Sequence, residues 1–176
     1  MILAVDSSAL ALIINPDANP PAHPETGEAV VNAAARVAAF LASLSRDDAI
    51  LVPAPVLAEI LVVAEDGGPE LLATISNSAK IKIKPFGQRA AIETAAMTRE
   101  AIANGNKRSP GANGTSWAKI KYDRQIIAIA RVEQATQIYA DDEKLIQFAR
   151  KLGMEVFSTW DLPEPPKPPQ IDMFGN

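Results

Sequence analysis

Short apolar runs alternate with segments of helical periodicity along this chain, and this alternation constrains the fold more than any other feature. The first run, Ile2–Val5, is rich in branched side chains and is followed by Leu10, Leu12 and Ile13 at helical spacing. Strands are predicted at residues 2–5, 49–52, 80–84, 137–140 and 155–157. Strands that are separated by helical crossovers form a mostly parallel sheet with helices on both faces. The sequence therefore predicts an α/β protein.

The predicted helices fill the intervals between these strands. Thr26 resembles a helix N-cap, and Pro55 suits the first turn of a helix. Gly67 and Gly68 are expected to break one helix before the next begins, and residues 104–116 are predicted to be a loop. After the first short helix, helices are expected at residues 29–44, 55–65, 70–78, 87–103, 117–134 and 142–152.

The length of 176 residues fits a single domain, which we place at residues 1–162. Residues 163–169 contain five prolines, so residues 163–176 are predicted to be an extended or disordered tail. No apolar stretch reaches 18 residues, which predicts no membrane span, and no basic region precedes the first apolar run, so a secretory signal is not expected. The chain has no cysteine, which excludes disulfides and thiolate metal sites and fits the cytoplasm.

The formal net charge of −4 is distributed unevenly along the chain. Residues 80–131 contain 11 Lys or Arg against three Asp or Glu, whereas the remainder contains 6 basic and 18 acidic residues. A basic middle segment in an acidic chain is consistent with a phosphate-rich partner. Solvated helix and loop surfaces would produce the same pattern, and the sequence does not separate these two interpretations.

Acidic residues at four places in the chain, one of them a pair, interrupt or end apolar segments close to one predicted edge of the sheet. Asp6 directly follows the first strand, and Asp141 and Asp142 follow the strand that contains Ile138–Ala140. Glu59 is the only acid among residues 54–64, and Asp123 precedes an almost wholly apolar helical segment. Ligand sites in such sheets lie beyond the carboxyl ends of the strands. Each acid alone could be a helix cap or a rim residue, and Asp6 also suits the N-cap of the first helix.

Acidic side chains that lie together repel one another unless protons or a cation neutralise them. Mg²⁺ and Mn²⁺ prefer oxygen ligands, and a pair of such ions can activate water for attack on a phosphodiester. This chemistry requires no histidine base, which suits a chain whose only histidine is His23. The acids therefore predict a Mg²⁺ or Mn²⁺ site.

Four short motifs, taken in order, resemble the PIN domain, the metal-dependent ribonuclease fold of VapC-like toxins from toxin–antitoxin pairs. They are the segments Val5–Leu10, Val56–Ile60, Lys121–Ala130 and Ile138–Asp142. The resemblance extends over residues 1–162 and implies a three-layer α/β/α sandwich around a mostly parallel sheet.

The resemblance also implies a set of site residues. Asp6, Glu59, Asp123 and Asp142 would be the catalytic, metal-binding acids, with Ser8 as a supporting hydroxyl. The family usually has Thr or Ser two residues before the last acid, and this chain has alanine there. Because two acids are adjacent, either can point into the site; the motif alignment favours the second, with Asp141 in a supporting position.

Basic residues near these motifs are candidates for contact with RNA. Lys121 and Arg124 flank one of the implied metal-binding acids, and Lys107 and Arg108 lie in the predicted loop. An arginine can hold phosphate oxygens with its forked donors, and contacts to an RNA backbone are sensitive to salt. The alternative is that all four are ordinary surface charges.

Two functions of different classes follow from these observations. The first is a Mg²⁺- or Mn²⁺-dependent endoribonuclease, for which the resemblance implies an RNA substrate, an antitoxin partner and a homodimer. The second is a non-catalytic α/β module that binds RNA or protein and has a degenerate acidic site. A phosphatase with Asp-x-Asp after the first strand is disfavoured because Ser8 occupies the third position of that pattern. A receiver domain is disfavoured because the last strand ends at Phe157-Ser158 without the expected lysine.

Overall fold

The computed structural model describes residues 1–105 and 116–165 and contains one five-stranded sheet. Every neighbouring pair of strands is parallel, and the strand order is β3-β2-β1-β4-β5. The predicted α/β fold with a mostly parallel sheet is thereby confirmed. The strands are Ile2–Val5 (β1), Ala49–Pro53 (β2), Ile81–Lys84 (β3), Gln137–Tyr139 (β4) and Glu155–Phe157 (β5).

Seven α-helices surround the sheet within the part of the chain that the structure describes. Two short 3₁₀ segments accompany them, Glu65–Gly67 and Thr159–Asp161. Among the described residues, no helix is both long and apolar enough to cross a membrane. The helices are Ser7–Ile14 (α1), Ala33–Ser43 (α2), Ala54–Ala64 (α3), Gly68–Asn77 (α4), Gln88–Ala103 (α5), Trp117–Val132 (α6) and Glu143–Lys151 (α7).

The order of the strands reverses at β1, which determines where a ligand site can form. The chain first adds β2 and β3 on one side of β1 and then adds β4 and β5 on the other side. Leu3 is in register with Ile50 on β2 and with Gln137 on β4. Where the strand order of an open α/β sheet reverses, the flanking crossovers diverge and leave a crevice at the carboxyl ends of the two strands. The ends of β1 and β4 therefore mark the expected site.

The central strands are buried on both sides, as their continuous apolar sequences predict. Leu3, Ala4 and Val5 of β1 have no exposed surface, and the apolar residues of β2 are similarly buried. Tyr139 of β4 stacks on Phe157 of β5 with ring centroids 5.1 Å apart. Because helices cover both faces, these strands carry mostly apolar side chains, and the carboxylates lie at the sheet edge beyond the strand ends.

Two helix boundaries differ from the sequence-based prediction. The predicted helix 29–44 begins instead at Ala33, because Asn32 has a left-handed backbone with φ of 57° and Ala29 pairs with Ala22 in an isolated antiparallel bridge. The break before α4 occurs at Glu65, whose φ is 46°, and α4 then begins at Gly68 itself. Helical spacing of apolar residues did not reveal these backbone turns.

The described part of the C-terminal segment returns to α2. Leu162 is only 5% exposed, and its carbonyl oxygen accepts a hydrogen bond from Arg36. The same arginine pairs with the carboxylate of Glu164 at 3.0 Å. Leu162 therefore packs against the core, and the domain boundary at residue 162 stays a prediction. Most of the predicted tail, from residue 166 onward, lies outside the described residues.

Candidate active site

Asp6 lies at the end of β1 and joins the two central strands through hydrogen bonds. Its Oδ1 accepts the backbone N–H of Ala9 at 2.7 Å, so the predicted N-cap of α1 is confirmed. Its Oδ2 accepts the N–H groups of Asp141 at 2.9 Å and Asp142 at 3.2 Å, directly after β4. The residue is 3% exposed. Burial raises the pKa of Asp6 to about 7, although the N–H of Ala9 opposes this shift.

Asp142 is the N-cap of α7 and is also the partner of a lysine. Its Oδ1 accepts the backbone N–H groups of Lys144 and Leu145, both at 2.9 Å. Its Oδ2 accepts a hydrogen bond from Nζ of Lys119 at 2.7 Å. Partial burial would raise the pKa of Asp142, but the hydrogen bonds from Lys119 and from the backbone of Leu145 outweigh burial and lower it.

Asp123 and Glu59 contribute two further carboxylates to this region. Asp123 lies one helical turn after Lys119 on α6 and is 9% exposed. Burial raises the pKa of Asp123 to about 6; the positive charge of Lys119 opposes the shift, whereas the negative charges of Asp142 and Glu59 add to it. Glu59 is exposed on α3. The negative charges of Glu59, Asp123 and Asp142 thus interact at the carboxyl edge of the sheet. We call these three residues the acidic region.

The sequence analysis did not indicate Lys119, although its ammonium binds a carboxylate of the acidic region directly. Desolvation lowers its pKa, but the hydrogen bond to Asp142 and the charges of Asp142, Asp123 and Glu59 together raise the pKa above its ordinary value. Its spacing of four residues from Asp123 was the available signal, because residues i and i+4 share one face of a helix. Without the position of α7, that spacing indicated only a helix surface.

The donor chemistry of the acidic region fits Mg²⁺ or Mn²⁺, but its present arrangement is not a closed metal site. The carboxylate oxygens of Glu59, Asp123 and Asp142 are the ligand type that these ions prefer, and a cation, the ammonium of Lys119, already binds there. Within residues 1–105 and 116–165, however, no three His, Asp or Glu side chains are arranged so that they could hold a metal ion. A bound metal would therefore require side-chain rearrangement.

Asp141 points away from Lys119 and stabilises the segment after β5. Its Oδ1 accepts the backbone N–H of Thr159 at 2.8 Å, and its Oδ2 accepts the hydroxyl of the same residue at 2.7 Å. That hydroxyl also lies 2.7 Å from the hydroxyl of Tyr139. Burial raises the pKa of Asp141 despite the hydrogen bonds from Thr159. Of the two adjacent acids, Asp142 is the one that faces the acidic region.

Ser8 lines a groove that begins beside the acidic region. The groove has a volume of about 1000 Å³ and runs between α1 and α3, with Glu59 and Tyr122 also on its walls. Val62 and Val63 contribute apolar surface and are 76% and 80% exposed. The supporting hydroxyl that the resemblance implied is therefore on the groove surface, exposed to solvent.

The predicted RNA contacts have different outcomes in the structure. The predicted RNA contact of Arg124 is wrong, because this side chain is only 1% exposed. Its guanidinium lies near the rings of Trp117 and Phe148, and Nη1 donates to the hydroxyl of Thr98 at 3.2 Å. A side chain buried among three helices is not placed to contact RNA. Lys121 is exposed, with its Nζ 5.5 Å from the centroid of the Trp117 ring, and stays a prediction. Lys107 and Arg108 lie outside the described residues.

Comparison with known proteins gives no match by sequence and clear matches by structure. No family model matches the chain, and no curated protein is significantly similar to it. A chain of VapBC2 from Rickettsia felis, solved with a DNA fragment from its promoter, matches with a TM-score of 0.57 at 17% identity. VapBC-1 from nontypeable Haemophilus influenzae matches with 0.55 at 13%, and DNA-bound VapBC from Salmonella typhimurium with 0.52 at 17%. Each match covers 90% of this chain and 98% of the other.

These comparisons establish a shared fold over nearly the whole domain. At identities below one in five, the similarity concerns the arrangement of strands and helices and not the chemistry of individual side chains. The resemblance of this chain to the VapC-like PIN domain is confirmed at that level. The chain thus has a PIN-like α/β/α fold, in which the acidic region occupies the edge where the strand order reverses.

Proposed function

We propose that this protein is a metal-dependent endoribonuclease that hydrolyses phosphodiester bonds of RNA and acts as the toxin of a toxin–antitoxin pair. The observation that carries the proposal is the grouping of Glu59, Asp123 and Asp142 at the carboxyl edge of the sheet, where Asp142 binds the ammonium of Lys119 and the charges of the other two carboxylates also act on that ammonium. A folded protein gains no stability from collecting like charges, so such a cluster favours a role in binding a cation.

Glu59, Asp123 and Asp142 are the residues that would hold Mg²⁺ or Mn²⁺, and the metal-binding role of Asp6 stays a prediction. When bound, the metal would supply an activated water and a Lewis acid for the leaving oxygen. Asp6 acts differently from the other three, because both its oxygens accept backbone N–H groups and its carboxylate is buried. Its hydrogen bonds fix the backbone of Asp142, so Asp6 contributes to the site by positioning this neighbour as well as by its own charge.

His23 does not supply a catalytic base in this arrangement. Its ring centroid lies 6.2 Å from that of Trp160, and Nδ1 accepts the backbone N–H of Glu25 at 3.2 Å in a loop between α1 and α2. It is the sole histidine of the chain. Proton transfer in the proposed reaction would therefore fall to the carboxylates of this region, which is consistent with the oxygen-only donor set.

The groove between α1 and α3 supports the proposed role as a toxin. It adjoins Glu59, and the exposed valines Val62 and Val63 offer an apolar surface to an antitoxin segment. The structurally similar proteins are VapBC assemblies, two of them with DNA bound. An antitoxin partner, a homodimer and a cytoplasmic location accordingly form part of this proposal.

Cleavage of a mixed RNA pool with Mn²⁺ tests the proposed activity. We expect the wild-type protein to cleave, and we expect cleavage to be lost with excess chelator and in Asp123→Asn. Asp47→Asn is the matched control, because it makes the same substitution at an exposed acid outside the acidic region and should leave cleavage intact. Cleavage that persists in chelator, or that is equal in Asp123→Asn and the wild type, would contradict the proposal.

The second candidate function is a non-catalytic module that binds RNA or protein. It is favoured by the ion pair between Lys119 and Asp142, because a permanently neutralised acid cluster would not need a metal. Under this alternative the folded wild-type protein would bind RNA and cleave none with any divalent ion.

A further inference from the structure

The ammonium of Lys119 lies within the acidic region and binds one of its carboxylates directly. Nζ donates to Oδ2 of Asp142 at 2.7 Å, and the charges of Asp123 and Glu59 also act on it. The other oxygen of Asp142 already accepts two backbone N–H groups. Oδ2 is therefore the oxygen of Asp142 that is best placed to bind a metal, and the lysine binds it instead.

We propose that Lys119 is an internal counter-ion that competes with the divalent metal for Asp142, so that metal binding requires the lysine to leave the acidic region. This inference rests on the proposed metal site and specifies how this chain regulates access to it. The ammonium and the metal are both cations that need the same carboxylate oxygens, and they repel each other at short range. The ammonium and the metal therefore cannot both bind these oxygens at the same time.

The exposure of Lys119 makes such an exchange feasible. Its side chain is 45% exposed, and that of Asp142 is 30% exposed, so the ammonium can move into solvent without opening the core. Ion pairs at such positions contribute little to stability. Lys119 is consequently a weak competitor that occupies the acidic region when metal is scarce and is displaced when metal is abundant.

The position of Lys119 on α6 explains how one ammonium can bind Asp142 and also interact with the charges of Asp123 and Glu59. It lies one turn before Asp123 on the same helix, and α6 packs against α3, which carries Glu59. Its flexible stem reaches across to the N-terminus of α7, where Asp142 is held by backbone N–H groups. Removing this lysine would leave the three carboxylates without its positive charge, which would raise their affinity for an added cation.

The test measures Mn²⁺ affinity by calorimetric titration, with no RNA present, for the wild type, Lys119→Gln and Lys121→Gln. Lys121→Gln is the matched control, since it removes the same charge from the same helix while its ammonium lies over the ring of Trp117. We expect Lys119→Gln to bind Mn²⁺ more tightly than the wild type, by roughly three- to tenfold, because it removes both the competing ion pair and the repulsion. Lys121→Gln should change the Mn²⁺ affinity by less than about twofold, because solvent screens the charge of Lys121 better than that of Lys119.

Thermal unfolding with and without Mn²⁺ provides the second measurement. Lys119→Gln should unfold at nearly the same temperature as the wild type without metal and should show the larger stabilisation by Mn²⁺. Equal or weaker Mn²⁺ binding by Lys119→Gln would overturn the competition while leaving the proposed nuclease site intact. Binding by Lys119→Gln but not by the wild type would support the competition in its strongest form. Absence of Mn²⁺ binding by all three proteins would overturn both the competition and the proposed metal site.

Discussion

The backbone N–H of Asp142 donates to Oδ2 of Asp6 at 3.2 Å, so the residue that follows β1 also holds the N-cap residue of α7. The N–H of Asp141 donates to the same oxygen at 2.9 Å. One carboxylate thus fixes the backbone of both acids after β4. This relationship makes Asp6 a structural residue whether or not a metal is bound.

Asp6→Ala should therefore destabilise the protein even with excess chelator. The substitution leaves the N–H groups of Ala9, Asp141 and Asp142 without their acceptor, and we expect a loss of about 2–3 kcal/mol in the free energy of unfolding. Urea unfolding checks the value. Ser8→Ala, an exposed substitution on the same helix, should stay within about 0.5 kcal/mol of the wild type. A metal-free Asp6→Ala protein as stable as Ser8→Ala would contradict this role.

The metal-free protein should lose stability as the pH rises from about 4 to about 7. Burial raises the pKa of Asp6 from its ordinary value of 3.8 to about 7 and that of Asp123 from 3.8 to about 6, so the folded chain retains protons that the unfolded chain has lost. Stability falls with pH wherever the folded state binds more protons. Urea unfolding across this range should show the decrease. Asp123→Asn should flatten its lower part, between about pH 4 and pH 6, and an unchanged slope would argue against the shift at that residue.

Arg124 should behave as a packing residue and not as an RNA contact. It lies between Trp117 and Phe148 and bonds Thr98, so Arg124→Met should lower the free energy of unfolding by about 2–3 kcal/mol. Arg124→Lys should also destabilise, because an ammonium lacks the planar group that stacks on both rings. Lys121→Met, at an exposed position of the same helix, should change stability little. Full stability of Arg124→Met with reduced RNA affinity would restore the original interpretation.

The two adjacent acids should separate experimentally into different roles. Asp141→Asn weakens the hydrogen bonds to Thr159 and should lower stability while leaving Mn²⁺ affinity within about threefold of the wild type. Asp142→Asn removes a proposed ligand and should lower Mn²⁺ affinity by more than about tenfold. Calorimetric titration of both proteins tests the distinction. The reverse order of affinities would assign the metal to Asp141.

The order of strands and helices was predictable because each strand is a short apolar run and most helices have clear apolar spacing. The start of α2 was not, since residues before it form the bridge between Ala22 and Ala29 and Asn32 then takes a left-handed backbone. That bridge joins residues of a polar, proline-rich loop, where apolar spacing gives no signal. A prediction of fold class therefore tolerates errors of several residues at the ends of helices.

The acids of the site were predictable for a different reason, namely that a carboxylate next to an apolar run is conspicuous. Their separate roles depend on where each side chain points, which a sequence does not provide. Asp141 and Asp142 are neighbours with the same chemistry, yet one bonds Thr159 and the other bonds Lys119. Similarly, Arg124 and Lys121 looked equivalent until the packing of Trp117 placed one inside and the other outside.

The hydrogen bond between Asp142 and Asp6 connects residues 136 positions apart, and this distance has a consequence for the chain during its synthesis. A ribosome releases residue 6 long before it adds residue 142. Until residue 142 has been added, Lys119 lacks the carboxylate to which its ammonium binds in the folded protein. A chain truncated before residue 142 therefore cannot complete the acidic region. Nascent and prematurely terminated products should be inert toward divalent metal at this position.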